Sequence, residues 1–328
     1  MKAVYINEFG TGDNLELRQV ADPEPPPPGR VLVRVRAAGL NRADLLQRRG
    51  LYMPPSGYKA EIPGLEFSGE IVEIGKDVAA WAIGDRVFGI TAGEAQAEFL
   101  TIDAGHLAAI PENLNFVEAA AVPEAFITAQ DAIFTLGRLS SGETILIHAV
   151  GSGVGLAALQ LALAAGAIPI GTSRTAAKLD QCKGFGMTAG IDTASFPNFS
   201  KRVGEITDGR GASVILDLVG AGYFDQNLRS LATQGRLIMV GLTSGRKSEI
   251  DLGMVLYKRA TIIGTVLRAR SSAEKAEVTQ TFIGGVLPLL AAGVVKPNVD
   301  RVFHAADVLA AYEYLESNES FGKVVLEF

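Results

Sequence analysis

Residues 142–174 read GETILIHAVGSGVGLAALQLALAAGAIPIGTSR, and this stretch decides the fold. An apolar run, Thr144–Ala149, predicts a strand that leads into a glycine-rich turn and then an alanine- and leucine-rich helix. A second apolar run, Ile168–Thr172, predicts the next strand. This order is typical of a dinucleotide-binding unit, although an ordinary glycine-rich βα turn is the alternative. The turn residues expected to hold the cofactor pyrophosphate are Gly151, Ser152, Gly153 and Val154.

The end of the second strand indicates which dinucleotide binds. An NAD site usually has Asp or Glu about 20 residues past the glycine turn, where it binds the ribose 2′-hydroxyl. Here the chain reads Ser173-Arg174, with Lys178 one helical turn later and no carboxylate before Asp180. Cationic side chains attract a 2′-phosphate, so the pattern predicts NADP(H). The alternative is that Arg174 and Lys178 only solvate the start of a surface helix.

Composition excludes several classes of protein. The chain has 328 residues, a formal net charge of −6 and no long basic run, which argues against nucleic acid as a partner. No apolar stretch is long enough to span a membrane, and the start, MKAVYINEF, reads as a strand rather than a signal peptide, so we expect a cytoplasmic protein. One cysteine, Cys182, and three histidines without shared ligand spacing predict no metal site.

The pattern of elements predicts an α/β protein with two domains. The first third is rich in β-type segments separated by turns, and from about Glu118 strands and helices alternate, as in a doubly wound parallel sheet. We therefore expect a cofactor domain over 123–265, inserted into a mostly antiparallel β catalytic domain of 1–122 and 266–328. The strands predicted in the first third are Ala3–Ile6, Glu16–Val20, Val31–Ala38, Phe67–Ile74 and Arg86–Gly89. The tail is predicted to hold two helices and a final strand, Lys275–Ala292, Ala305–Ser317 and Gly322–Phe328.

Motifs spread over the whole chain resemble one family. Among them are AAGLNRADLLQRRGLY (37–52), IPGLEFSGEIVEIG (62–75), AAAVPEAFITAQDAI (119–133), GASVILDLVG (211–220) and GKVVLEF (322–328). The chain resembles the zinc-free medium-chain dehydrogenase/reductases, in particular the quinone oxidoreductase group that includes zeta-crystallin, and within it the branch induced by a tumour suppressor in animals. The resemblance implies a Rossmann cofactor domain inserted in a GroES-like catalytic domain.

The resemblance also implies hydride transfer without metal. Zinc-dependent relatives have a cysteine near Leu40–Asn41 and a His-Glu pair where this chain has Leu65 and Glu66. Direct hydride transfer needs no enzyme nucleophile. The resemblance further implies cofactor contacts from Thr128, Val219, Gly241, Leu242, Leu267, Gly322 and Lys323.

Asn41 and Tyr52 are the predicted catalytic residues. By resemblance, both orient the acceptor carbonyl through hydrogen bonds, and Tyr52 also supplies a proton in one version of this hypothesis. Asn41 is followed three residues later by Asp44, so it also fits a helix N-cap. For Tyr52 the alternative is the packing of a loop aromatic. The role of Arg268 is left open at this point.

Three functions fit these residues. The first is an NADPH-dependent reductase of quinones or other α,β-unsaturated carbonyls, and the second is an enoyl-thioester reductase. The third belongs to another class, an NADPH-binding structural or regulatory protein such as a crystallin. The resemblance and the β-rich segment Thr261–Leu267, which needs a partner for its exposed edge, predict a homodimer.

Overall fold

The computed structural model separates into two compact units. Unit 1 consists of Met1–Ile127 and Leu267–Phe328, and unit 2 is the segment Thr128–Val266. The sequence placed the two boundaries after residues 122 and 265. The roles assigned there to the two domains, catalysis and cofactor binding, stay predictions.

Unit 1 begins with strands joined by short turns, and the structure describes residues 1–10, 12 and 14–328 of the chain. The elements of this first part are strands β1 (Lys2–Ile6), β2 (Leu15–Gln19), β3 (Arg30–Leu40), β4 (Glu66–Ile74), β5 (Arg86–Ile90), β6 (Phe99–Asp103) and β7 (Leu107–Ala109), and helices α1 (Arg42–Arg48), α2 (Phe116–Ala120) and α3 (Pro123–Gln130). The five predicted strands are confirmed to within two residues. The sequence missed β6 and β7, whose 5 and 3 residues are too few to show a clear alternation.

Strand β3 shows why this part of the chain is a sheet. It reads RVLVRVRAAGL, and Val31, Val33 and Val35 are buried while Leu32 and Arg34 between them are not. Side chains of a strand alternate between the two faces, so this period of two puts the valines into one core. There they pack with Phe67 and Ile71 of β4.

Unit 2 alternates strands and helices, as predicted. A π-helical segment, Asp131–Leu136, follows α3. The other elements are strands β8 (Thr144–Ile147), β9 (Ile168–Ser173), β10 (Ala189–Asp192), β11 (Ala212–Asp217), β12 (Leu231–Met239) and β13 (Thr261–Gly264), and helices α4 (Gly153–Ala164), α5 (Ala176–Lys183), α6 (Phe199–Ile206), α7 (Phe224–Ser230) and α8 (Leu252–Lys258).

The six strands of unit 2 form one parallel sheet in the order β10-β9-β8-β11-β12-β13. Numbered from β8, this is the order 3-2-1-4-5-6 of doubly wound dinucleotide-binding sheets. Leu146, Ile170, Ile215 and Leu237 are almost fully buried in its core. The chain reverses its direction across the sheet between β8 and β11, and a ligand binds such a sheet outside the carboxyl ends of the strands at that point.

The last part of the chain completes unit 1 with helices α9 (Ser272–Gly285) and α10 (Leu287–Ala291), strand β14 (Val299–His304), helix α11 (Val308–Ser317) and strand β15 (Lys323–Glu327). The sequence predicted one helix over 275–292, and this was wrong. Pro288 stands at the start of α10, where its missing N–H is tolerated, and the chain breaks the helix just before it. Strand β14 was not predicted.

The large sheet of unit 1 follows the path β14-β15-β3-β4-β5-β7, with β6 also paired to β3. All its pairs are antiparallel except β14 with β15, which confirms the mostly antiparallel domain. In the pairing of β15 with β3, Val324 lies opposite Leu40. Residue Lys323 therefore starts its strand beside the end of β3. Within the described residues, every helix is too short or too polar to cross a membrane.

Candidate active site

The glycine turn of unit 2 leads from β8 into α4. The Val150 N–H donates to the Thr172 carbonyl oxygen at 3.0 Å, which ties the turn to the end of β9. A Cβ on Gly155 would lie 2.5 Å from the Ala149 carbonyl oxygen and 2.7 Å from the Val150 Cα. Only glycine fits there, because both obstacles are backbone atoms. This close approach lets α4 start directly against the turn.

The start of α4 fits a pyrophosphate. Ser152 is the N-cap, and its Oγ accepts the Gly155 N–H at 3.1 Å. The first intrahelical bond runs from the Leu156 N–H to the Ser152 oxygen, so the N–H groups of Gly153 and Val154 precede the hydrogen-bonded ladder. An anion at this end satisfies those donors and is stabilised by the helix dipole. Sequence reasoning gave the Ser152 hydroxyl to the phosphate, and its proton remains available for that bond.

The carboxyl end of β9 brings the three predicted 2′-phosphate ligands to one edge. Ser173 ends the strand and its Oγ accepts the Thr175 N–H at 3.2 Å. The Arg174 side chain is exposed, and Lys178 lies on the first turn of α5. One carboxylate stands on the neighbouring strand, since Asp192 of β10 pairs in register with Ser173.

The Asp192 carboxylate is hydrogen-bonded within the turn that follows β10. It accepts the Ala194 N–H at 3.0 Å and the Ser195 hydroxyl at 2.8 Å, and the Ser195 hydrogen bond lowers the pKa of Asp192 most strongly. The sequence hypothesis counted only carboxylates between the glycine turn and Asp180, so it gave no weight to this group. This carboxylate opposes the binding of a second anion at the edge.

The ends of β11 and β12 lie next to the reversal of strand order. The buried Asp217 accepts the N–H of Val219 at 2.7 Å and of Gly220 at 2.9 Å, which bends the chain sharply after β11. A Cβ on Gly241 would lie 2.6 Å from the Leu218 carbonyl oxygen, so the two turns touch through their backbones. Leu242 is about half exposed. The structure therefore brings Val219, Gly241 and Leu242 together, and their contact with cofactor stays a prediction.

His148 belongs to a buried hydrogen-bonded chain. Its Nδ1 lies 2.8 Å from the Thr172 Oγ1, and its Nε2 lies 2.6 Å from the Asn227 Oδ1. The Asn227 Nδ2 donates to Asp217 at 3.0 Å, so the Asn227 oxygen accepts from His148 and the imidazole is neutral with its proton on Nε2. Burial lowers the pKa of His148 despite the nearby Asp217 carboxylate. His148 therefore has a structural role, with both ring nitrogens hydrogen-bonded inside unit 2.

In unit 1 the predicted residue Asn41 lies in a cluster around Glu66 and Lys323. Glu66 is fully buried at the start of β4, and its Oε1 accepts from the Lys323 ammonium and, at 2.9 Å, from the Asn41 amide. Its Oε2 accepts the Glu124 backbone N–H at 2.8 Å. The Lys323 ammonium also donates to the Leu40 carbonyl at 2.7 Å and to the Asn41 Oδ1 at 2.8 Å.

This arrangement commits both Asn41 and Lys323 to the protein. The three N–H bonds of Lys323 match three protein acceptors, and both ends of the Asn41 amide have partners. Asn41 is also the N-cap of α1, with its N–H donating to the Asp44 Oδ2 at 2.7 Å. The structural reading of Asn41 is therefore confirmed. Its contact with an acceptor, and that of Lys323 with cofactor, stay predictions.

Tyr52 is held by Arg268, whose role the sequence left open. The buried Arg268 guanidinium donates to the Tyr52 carbonyl at 2.6 Å, to the Ala92 carbonyl at 2.8 Å and to Gln47. It also faces the Tyr52 ring, 5.0 Å from the centroid. No described residue bonds the phenol hydroxyl, and burial raises the pKa of Tyr52. Arg268 thus fixes the Tyr52 loop and leaves its hydroxyl available to a ligand.

Sequence reasoning missed the acidic part of this cluster. Asp44 and Glu66 are fully buried, and Glu124 lies half-buried at the start of α3. Burial raises the pKa of Asp44 to about 6, and burial together with the Glu66 carboxylate raises the pKa of Glu124 to about 8. The available signal was an acid inside the apolar segment AAAVPEAF.

The other three predicted cofactor residues are Thr128, Leu267 and Gly322, and their contact with cofactor stays a prediction. Thr128 is on α3, and Leu267 is a buried residue at the start of the second part of unit 1. Gly322 has a positive φ of 100°, and a Cβ there would clash with the backbone carbonyl oxygen of Asn298. Glycine is therefore required before β15 for reasons of backbone alone.

Known proteins similar to this chain share its whole length. A family model for the alcohol dehydrogenase GroES-like domain matches residues 27–128, and one for zinc-binding dehydrogenases matches 153–282. The quinone oxidoreductase-like protein 2 homolog of Nematostella vectensis is 33% identical over 99% of this chain and 88% of its own. The chain belongs to the quinone oxidoreductase-like group of medium-chain dehydrogenase/reductases. It is therefore an oxidoreductase that uses a nicotinamide dinucleotide.

Two solved structures of this superfamily match closely. A quinone oxidoreductase from Pseudomonas syringae pv. Tomato DC3000 is 30% identical, with a TM-score of 0.90 over 100% of this chain and 99% of that one. A mycobacterial protein in complex with NADPH is 28% identical, with a TM-score of 0.89 over 100% of both chains. The predicted fold class is thereby confirmed.

The residues that the resemblance aligns with the zinc site of zinc-dependent relatives form hydrogen bonds and an ion pair in this chain. Asn41 and Glu66, which the resemblance places at or beside the ligand positions of zinc-dependent relatives, both bind Lys323. Among the described residues no group of three or more His, Cys, Asp or Glu side chains is arranged to hold a metal ion. Catalysis without metal stays a prediction.

Proposed function

We propose that the protein transfers a hydride from NADPH to a quinone or another α,β-unsaturated carbonyl. The observation that carries the cofactor choice is the edge formed by Ser173, Arg174 and Lys178, whose neighbouring carboxylate, Asp192, is bound to its own turn. The structural relative with bound NADPH supports this choice. Placement in the tumour-suppressor-induced branch is a finer proposal of the same kind.

When bound, the cofactor supplies the hydride, and the residues of the chain supply its position. The N–H groups of Gly153 and Val154 hold the pyrophosphate, and the Arg174 guanidinium pairs with the 2′-phosphate. The Tyr52 hydroxyl donates a hydrogen bond to the acceptor carbonyl, with Arg268 holding its ring. A quinone is a strong hydride acceptor, so this orientation is sufficient for it and no nucleophile is needed.

Turnover on a panel of acceptors tests this proposal. We expect NADPH to reduce a benzoquinone and a simple enone, with much weaker reduction of an enoyl thioester. Enoyl thioester as the best substrate would favour the second candidate, an enoyl-thioester reductase. NADPH binding without reduction of any of the three would favour the structural or regulatory role instead.

We also propose a homodimer formed through unit 2. Strand β13 is an edge of the parallel sheet and leaves backbone groups to be paired. Helix α8, which precedes β13 in the chain and packs on β12, carries Leu252, Leu256 and Tyr257, which are 65%, 77% and 81% exposed. We expect sedimentation at micromolar concentration to show a dimer and Leu256→Glu to show a monomer. The matched change of a half-exposed residue in unit 1, Leu46→Glu, is expected to keep the dimer, and a monomeric parent chain would contradict the proposal.

A further inference from the structure

Three carboxyl groups of unit 1 meet around β4, and they differ in the hydrogen bonds that they accept. Glu66 accepts from Lys323, from Asn41 and from the Glu124 N–H. Asp44 accepts the N–H of Asn41 at 2.7 Å and of Gly64 at 3.2 Å. No described residue donates to the carboxyl of Glu124. Hydrogen bonds from N–H groups stabilise a carboxylate, so Glu66 and Asp44 are the two that carry charge.

The cations near Glu124 are committed elsewhere. The Lys323 ammonium binds Leu40, Asn41 and Glu66, and the Arg268 guanidinium binds Ala92, Tyr52 and Gln47. A third cation, Lys275, donates to the carbonyl oxygens of Arg268 and Arg270. An ionised Glu124 would therefore be a half-buried charge without a donor.

The Glu66 carboxylate adds repulsion, because it is bonded to the backbone N–H of Glu124 itself at 2.8 Å. Two carboxylates that share a site cannot both ionise easily. Asp44 contributes in the same direction from α1. Glu124 is thus the member of the cluster that keeps its proton, and its side chain is only partly buried, so the proton can exchange with solvent or ligand.

We propose that Glu124 is held as a neutral acid and donates the proton that follows hydride transfer. The inference rests on the proposed function. Hydride addition to a quinone or enone leaves a phenolate or enolate oxygen anion, and that oxygen takes the carboxyl proton. Glu124 is left as a carboxylate and regains a proton from water. One acceptor, one NADPH and one solvent proton thereby give one reduced product and NADP⁺.

The two candidate acids, Glu124 and Tyr52, differ in their pKa. Burial first, and the Glu66 carboxylate second, raise the pKa of Glu124 to about 8, while Lys323 and Arg268 lower it less. Burial raises the pKa of Tyr52 from its usual 10, which makes its phenol a weaker acid. The most effective general acid has a pKa near the working pH. Tyr52 then orients the acceptor and Glu124 supplies the proton.

Glu124→Gln, Tyr52→Phe and an exposed control from the same unit, Glu112→Gln, test the assignment on one quinone and one enone. We expect Glu124→Gln to lower kcat on the enone about a hundredfold and to leave NADPH affinity unchanged. We expect kcat of the parent chain on the enone to fall above pH 8. We expect Glu124→Gln to lose this pH dependence of kcat. Tyr52→Phe is expected to cost roughly tenfold and to keep it. Glu124→Asp, which keeps an acid, is expected to recover part of the rate.

If kcat on the enone no longer falls above pH 8 in Tyr52→Phe but still falls in Glu124→Gln, the assignment is overturned and Tyr52 is the acid. An unchanged enone rate in Glu124→Gln would overturn it as well. Carbon-13 NMR of glutamate-labelled protein gives a readout without turnover. The carboxyl signal missing from Glu124→Gln should titrate near pH 8, and titration near the ordinary value would contradict the neutral acid. A chain that reduces no acceptor but shows this titration would refute the proposed function and leave the protonated Glu124 standing.

Discussion

Replacing Lys323 with methionine is expected to lower the stability of unit 1 by about 3–5 kcal/mol. Methionine has a similar length but donates no hydrogen bond. The change leaves the Glu66 carboxylate buried without its cation, and it also removes one donor each from the Leu40 carbonyl and the Asn41 Oδ1. Breaking one side of a buried ion pair costs more than the pair contributes, since the remaining charge cannot be solvated.

Urea unfolding, monitored by tryptophan fluorescence, measures the loss in the free energy of unfolding of unit 1. The only tryptophan of the chain, Trp81, packs on the core of unit 1 and donates to the Ala104 carbonyl at 3.1 Å. The matched control is Lys183→Met, which removes a lysine from an exposed pair with Asp180 and is expected to change stability by less than about 0.5 kcal/mol.

A double variant distinguishes the buried charge from simple loss of packing. Lys323→Met combined with Glu66→Gln removes both charges, so we expect it to be more stable than Lys323→Met alone. Equal or greater loss in the double variant would show that the charge of Glu66 is not the cause. A stability unchanged by Lys323→Met would contradict the ion pair itself.

Replacing Arg174 with alanine is expected to weaken NADPH binding by roughly ten- to a hundredfold and to leave NADH binding nearly unchanged. A charge-assisted hydrogen bond contributes about 1.5–3 kcal/mol, and each 1.4 kcal/mol is a factor of about ten in Kd. NADH lacks the 2′-phosphate, so removal of the Arg174 side chain takes no hydrogen bond away from it. The exposed position of Arg174 at the end of β9, next to Ser173, makes the change local.

Fluorescence titration with both cofactors measures the difference. Arg210→Ala is the control, because Arg210 lies in the same unit with a side chain 79% exposed, and it contacts its own turn through a 3.1 Å hydrogen bond to the Thr207 carbonyl and a 3.8 Å contact to Asp208. It is expected to alter neither affinity. Equal losses for NADPH and NADH in Arg174→Ala would contradict the 2′-phosphate assignment and leave Arg174 with a general electrostatic role.

The sequence was sufficient for features whose cause lies within a few neighbouring residues. The strand, glycine turn and helix of 142–174 follow from local hydrophobic period and from the close backbone approach that only Gly155 permits. The break at Pro288 shows the limit of that reasoning, since the apolar pattern of 275–292 continued across a proline that begins a new helix.

Which buried charges meet was decided by tertiary structure alone. Lys323 and Glu66 are 257 residues apart, and Arg268 and Gln47 are 221 apart. Sequence patterns report period and turns, but they do not report strand register, and it is the pairing of β15 with β3 that sets Lys323 beside Asn41. For the same reason sequence patterns did not reveal that Lys323 binds Glu66, and they overlooked Glu124, whose pKa depends on carboxylates and cations brought in from α1, β4 and β15.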